Sequence, residues 1–118
     1  MRSLITGYAI PRLPEIDDPS SRSTAILKAI SNQRRLQILN HLSDGTERPV
    51  SEIEKLVPDL SQSALSQHLG RLLQAEIVRT RRASQTIYYS IEDQNVVRIL
   101  RLLKHIYAED PALHKQKN

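Results

Sequence analysis

Apolar positions along the chain follow two rhythms, helical up to about Leu73 and again after Asp93, and alternating in the stretch between. Ile26, Leu27 and Ile30 share one side of a first helix predicted over Ser20 to Ile30. Asn32 reads as the N-cap of a second, with Leu36, Ile38, Leu39 and Leu42 as its apolar side and Asp44-Gly45 as its stop. Ser51-Glu52-Ile53-Glu54 fits a capping box. It opens a short third helix with Ile53, Leu56 and Val57 inward, closed by Pro58. Ser61 is the next good N-cap, and Leu65, Leu69, Leu72 and Leu73 recur behind it at helical spacing. Before Ser20 the pattern stops: residues 1–19 hold Pro11, Pro14 and Pro19 among Glu15, Asp17 and Asp18, which predicts an extended or disordered arm.

The helix opening at Ser61 has an unusual second face. Opposite its leucines lie Ser63, Gln67, Gly70 and Gln74, flanked by Ser66 and Arg71, where a solvent-facing helix carries Lys and Glu pairs. Two short helices joined by Pro58-Asp59-Leu60, the second with one apolar and one uncharged polar stripe, make the pattern of a helix-turn-helix. Val78, Thr80 and Arg82 then alternate with Arg79 and Arg81, and Ile87, Tyr89 and Ile91 with Thr86, Tyr88 and Ser90. The expectation is a hairpin with Ala83-Ser84-Gln85 as its loop, the wing of a winged helix. The predicted fold is mainly α with a small β-hairpin, in the order α-α-α-α-β-β-α, spanning residues 20–108, with 109–118 as a C-terminal tail.

The last helix, Asp93 to Tyr107, has apolar residues over an arc of roughly 220°, against about 100° for a helix with one buried side. A deeply packed core helix is the alternative, but its own small domain cannot cover that arc, so a homodimer is expected. The interface residues read from the sequence are Ile26, Leu27 and Ile30 of the first helix and Ile99, Leu102, Leu103 and Ile106 of the last.

Composition narrows the chemistry. A chain of 118 residues supports one core. With no Phe or Trp, that core must be built from Leu, Ile and Val. The absence of Cys excludes disulfides, thiolate metal sites and cysteine redox switching. No apolar run approaches a membrane span, and Met1 to Ser20 lacks the apolar middle of a signal peptide, so no membrane partner and a cytoplasmic location are expected. The net charge of +4 favours a polyanionic partner, and it is concentrated: Ser61 to Ile91 holds Arg71, Arg79, Arg81 and Arg82 against Glu76 alone.

Double-stranded DNA supplies what the polar stripe lacks. Base edges offer donors, acceptors and methyl groups that Ser, Gln and Arg match, while a carboxylate there would be repelled by phosphates. Gln62, Ser63, Ser66 and Gln67 are assigned to base edges, and Ser61, His68 and Arg71 to phosphates. For each serine, a local cap or solvated hydroxyl is the alternative. Arg81 and Arg82, with Gln85 and Thr86, form a basic wing tip suited to the backbone or a minor groove. Arg34 and Arg35 face phosphate or solvent, and His68 contacts phosphate or packs at the helix edge. No metal site, cofactor or catalytic motif is found, since only His105 and Glu109 share a helical spacing; an enzyme is not expected.

With NQRRLQILNHL, LSQSALSQHLGRL and VRTRRASQTIYYSI in this order, the chain resembles the ArsR/SmtB family of winged-helix repressors from about Thr24 to Tyr107. The last two segments most resemble the branch that responds to reactive sulfur or redox state. The resemblance implies a homodimer, paired through its first and last helices, that binds an inverted-repeat operator and leaves it when an inducer arrives. Asn40 and Ala108 stand where that branch has its cysteines. Of the positions matched to the family's metal site in the last helix, Asp93, Asn95, Ile106 and Glu109, two lack a ligand. Both familiar sensing chemistries are therefore expected to be absent, and the sequence identifies no inducer. Two rival readings remain: a ligand- or pH-responsive regulator acting through His41, His105 or a dimer cleft, and a winged-helix module that binds protein instead of DNA.

Overall fold

The computed structural model describes residues 20–114; the arm read from residues 1–19 lies outside the described residues. The element order is α1 (Arg22–Ile30), α2 (Gln33–Leu42), β1 (Arg48–Pro49), α3 (Val50–Leu56), α4 (Gln62–Gln74), β2 (Val78–Ala83), β3 (Thr86–Ile91) and α5 (Gln94–Ile106), followed by a 3-10 turn at Pro111–Leu113. The α-α-α-α-β-β-α order is present, with one short strand added between α2 and α3.

Side-chain caps explain where most helices begin. Asn32 Oδ1 accepts from the amides of Arg34 and Arg35, Ser61 Oγ from Ala64 and Asp93 Oδ1 from Asn95. The capping box expected at Ser51 does not form. α3 starts two residues earlier, with Pro49 in place of Ser51 at the N-cap, and Pro49 makes no side-chain cap. The cause is β1, where Arg48 pairs with Tyr89 and Pro49 with Tyr88, holding the chain extended up to the helix. Ser51 falls within the first turn, and Glu52 is drawn to His41 and Arg48.

The sheet runs β1-β3-β2, antiparallel throughout. The hairpin loop is one residue shorter than expected, because Ala83 pairs with Thr86 and leaves Ser84-Gln85 as the turn. Ser84 takes the left-handed backbone (φ 59°) that a two-residue hairpin needs at its first position, without a glycine. Glu76 does the same (φ 56°) at the end of α4. There the Ile77 amide reaches back to the Leu72 carbonyl and the Glu76 amide to Leu73, a Schellman ending. Leu72 and Ile77 are both fully buried. That reversal sends the chain from α4 straight into the wing.

The core is aliphatic, with Ile38, Leu39, Leu42, Ile53, Leu72, Val96 and Leu100 at its centre. The segment read as a tail returns to it: Asp110 caps the 3-10 turn through the Ala112 amide, and Ala112 and Leu113 are buried. An apolar pair at the end of a polar stretch gives no periodicity, so this contact carries no local signal.

Candidate nucleic-acid interface

α4 presents the expected polarity. Leu65, Leu69 and Leu72 are buried, while Gln62, Ser63, Ser66, Gln67, Gly70, Arg71 and Gln74 are exposed. Ser61 is occupied as the N-cap, its hydroxyl 3.0 Å from the Ala64 amide, which leaves it at the helix start where a phosphate is favoured by the helix dipole. Gly70 is the telling position. A Cβ built there would meet nothing within 4 Å, so no packing within the protomer calls for glycine. Its cost in a helix interior is about 1 kcal/mol relative to alanine.

The wing lies beside the start of α4. Gln62 and Ser66 share a cleft of about 340 Å³ with Ile87 and Tyr89 of β3. Burial pushes the Tyr89 phenol above its ordinary pKa. The two wing arginines differ. Arg81 Nε lies 2.9 Å from both carboxylate oxygens of Glu47, and its guanidinium sits 4.8 Å from the Tyr88 ring centre. That pairing holds the Glu47 carboxyl below the usual range and raises Arg81. Arg82 is exposed, with no hydrogen bond or ion pair among the described residues. Gln85 is exposed at the turn and Thr86 half-buried beside it. Arg82, Ser84 and Gln85 are thus the unpaired exposed polar side chains of the tip among the described residues, while Arg81 is engaged by Glu47.

Arg34 is not free either. It donates to Gln37 Oε1 at 2.7 Å and pairs with Asp59, tying α2 to the turn that precedes α4. Arg35, expected like Arg34 to face phosphate or solvent, does neither: it is buried at 9% exposure. It occupies the core stripe of α2 with Ile38, Leu39 and Leu42, at spacings of three, four and seven, and that register was the signal for it. Arg35 donates to the carbonyls of Ala29 and Lys28 and faces His68 Nδ1 at 3.1 Å.

His68 is therefore held by Arg35 inside the protomer, while still flanking the polar stripe. Burial, then the charges of Arg35, Arg71 and Arg34, lower its pKa from the ordinary 6.5. The neutral ring accepts from Arg35 at Nδ1 and keeps its proton on Nε2. The unfolded chain takes up a proton at His68 first. Stability attached to this site is present above about pH 6.5 and is lost as pH falls toward the lower folded pKa. Urea-unfolding midpoints are expected to drop more steeply in wild type than in His68→Gln as pH is lowered from about 7.5 to 5.5. Identical slopes would show that the ring protonates equally in both states.

The residues expected at a dimer interface fall into two groups. Leu27, Leu102 and Ile106 are 60, 58 and 57% exposed, with Tyr107 beside them at 57%. Ile99 and Leu103 are half-buried against the protomer's own core, and Ile26 and Ile30 are consumed by it. The first helix therefore offers Leu27 in place of the three residues expected.

Of the positions matched to sensing sites, Asp93 has a structural role while Asn40 and Ala108 show none. Asn40 is buried, with no partner for its Oδ1 among the described residues, and Ala108 is exposed. Asp93 caps α5 and accepts from Arg22 at 2.8 Å, which holds its carboxyl below the usual range. Among the described residues no three His, Cys, Asp or Glu side chains come together as a metal site, and no helix is long and apolar enough to cross a membrane.

Comparison with known proteins agrees with this geometry. The family of bacterial regulatory proteins described as the arsR family matches residues 32–80, which run from the α2 cap into β2. The chain is 40% identical over 97 residues to the transcriptional activator HlyU of Vibrio cholerae, covering 82% of this chain and 88% of that one. The crystal structure of NolR from Sinorhizobium fredii superposes with a TM-score of 0.71 at 40% identity, over 86% of this chain and 99% of that one. The homodimeric winged helix-turn-helix DNA-binding domain Mb0332 from Mycobacterium bovis superposes with a TM-score of 0.64 at 30% identity, over 82% and 88%.

Proposed function

The chain belongs to the arsR family of bacterial regulatory proteins and is a winged-helix DNA-binding transcription regulator, not an enzyme, and from that premise we propose that it acts as a homodimer, occupying an inverted-repeat operator and blocking polymerase there. α4 enters the major groove, with Gln62, Ser63, Ser66 and Gln67 at base edges and Ser61 and Arg71 at phosphates. Arg82, Gln85 and Thr86 follow the backbone or minor groove, and Arg81 joins them once it leaves Glu47. His68 and Arg34 support this face from within the protomer. The proposed location is the cytoplasm, where operator DNA is found.

The observation that carries the reading is the exposed stripe of α4, polar, free of carboxylates and broken by a glycine with open space above it. A face made to bind protein would present an apolar patch instead. The exposed apolar side chains, Leu27 of α1 with Leu102, Ile106 and Tyr107 at the end of α5, suit a second copy of the chain, and Mb0332, a relative of the same fold, is homodimeric. HlyU is named an activator, and the same occupancy serves either sign according to where the site lies relative to the promoter.

The test is to sequence duplexes retained by the purified protein from a random pool. Enrichment of a two-fold-related site supports the reading, and retention without sequence preference overturns it. Gly70→Ala gives an independent check. The variant is expected to be more stable by about 0.5–1 kcal/mol and yet to bind the enriched duplex more weakly, because the new methyl group intrudes on the groove. Greater stability with unchanged affinity would place Gly70 away from the DNA.

A further inference from the structure

A pocket of about 260 Å³ opens between α1, the first turn of α2 and the C-terminal half of α4. Ala25, Ala29 and Ala75 leave its space open, and Lys28, Arg35, Arg71 and Gln74 supply its polar groups. No carboxylate lines it. Among the described residues neither Lys28, Arg35 nor Arg71 has an acidic partner, although most other arginines of the fold do.

Arg35 is the centre of the pocket. A guanidinium has five N–H donors. Here Nε serves the Ala29 carbonyl, one terminal nitrogen the Lys28 carbonyl at 3.4 Å, and the other His68 Nδ1 at 3.1 Å. One N–H remains on each terminal nitrogen. Arg35 as a residue is only 9% exposed, and its guanidinium carries desolvation without a counter-charge, a cost that an arriving anion reduces. Arg35 lies in the first turn of α2, where the helix dipole adds to the positive potential. The nearby end of α4 does not oppose it, since Arg22 donates to the carbonyls of Ala75 and Glu76.

We propose that this pocket is a seat for a phosphate-class oxyanion, gripped by Lys28, Arg35 and Arg71 with Gln74 as a neutral donor. The anion is either a backbone phosphate of the bound duplex or a free phosphate group. In both cases it bridges α1, beside the dimer face, to α4, the DNA-reading helix. His68 reports occupancy, because an anion beside Arg35 and Arg71 offsets the charges that depress its protonation.

The experiment follows the His68 ring by NMR in the full chain while inorganic phosphate replaces chloride at constant ionic strength, without DNA, so its outcome is separate from that of the operator reading. A saturable response is expected, with the ring titrating at higher pH when phosphate is bound. Lys28→Gln with Arg71→Gln is expected to weaken the apparent affinity about tenfold or more, through loss of charge-assisted contacts. Both residues are exposed, so the core is untouched. Gln74→Glu, which gives the pocket its own carboxylate, is expected to abolish the response. A linear response matched by chloride, or saturation unchanged in both variants, overturns the seat.

Duplex DNA separates the two sources. If a backbone phosphate fills the seat, duplex displaces inorganic phosphate, and Lys28→Gln alone, which leaves Arg71 in place, lowers the salt slope of DNA binding by about 1. If the anion is free, the His68 response to phosphate persists in the complex.

Discussion

Ile106→Glu combined with Leu102→Glu is expected to yield a folded monomer whose affinity for the operator drops to that for random DNA, a loss of about 10³-fold or more. Both side chains are more than half exposed in the protomer, so the substitutions cost the isolated fold little. In the dimer each would bury a carboxylate against apolar surface, at several kcal/mol per unpaired charge. The coupling to DNA is geometric. Two α4 helices about one duplex turn, roughly 34 Å, apart engage both half-sites of an inverted repeat, whereas one alone holds half the contacts. Sedimentation and binding titrations on the same samples check this. A monomer that retains tight operator binding would sink the dimer reading. Leu103→Glu is the less diagnostic choice, because Leu103 also packs against the protomer's own core and its loss threatens the fold.

Local signals in the sequence located most of the architecture, and the failures share one cause. Asn32, Ser61 and Asp93 were legible as caps because a cap acts within three residues. The start of α3 was misread at Ser51, since it depends on Arg48-Pro49 pairing with Tyr88-Tyr89 some forty positions away. Two residues carry no alternation from which that strand could be read. Arg81 and Arg82 look equivalent in sequence, and only the approach of Glu47 separates a paired guanidinium from a free one. Ile26 and Ile30 share their helical side with Leu27, and the packing of α1 on the rest of the domain decides which of them stays exposed. Arg35 was legible in principle, because a cation in the leucine register of α2 is an anomaly that demands buried partners.

The polar face of α4 carries the second large expectation. Gln67→Ala is expected to reduce discrimination between operator and random DNA by about 1–3 kcal/mol for each half-site, hence about 2–6 kcal/mol for a symmetric dimer. Gln67 is exposed near the middle of the helix and has no hydrogen-bond partner among the described residues, so its amide is free to pair with a base edge. Removing it leaves no group unpaired within the protomer, and urea-unfolding midpoints should be unchanged. Affinity for random duplex should also hold, because that term comes from phosphate contacts, which we assign to Arg71, Arg82 and their neighbours. Titrating wild type and variant against operator and scrambled duplex at one salt concentration gives the four affinities needed. A loss confined to the operator assigns Gln67 to base reading. Equal losses on both duplexes would assign it to the backbone, and sequence reading would then rest on Gln62, Ser63 and Ser66, the polar residues of the first two turns of α4.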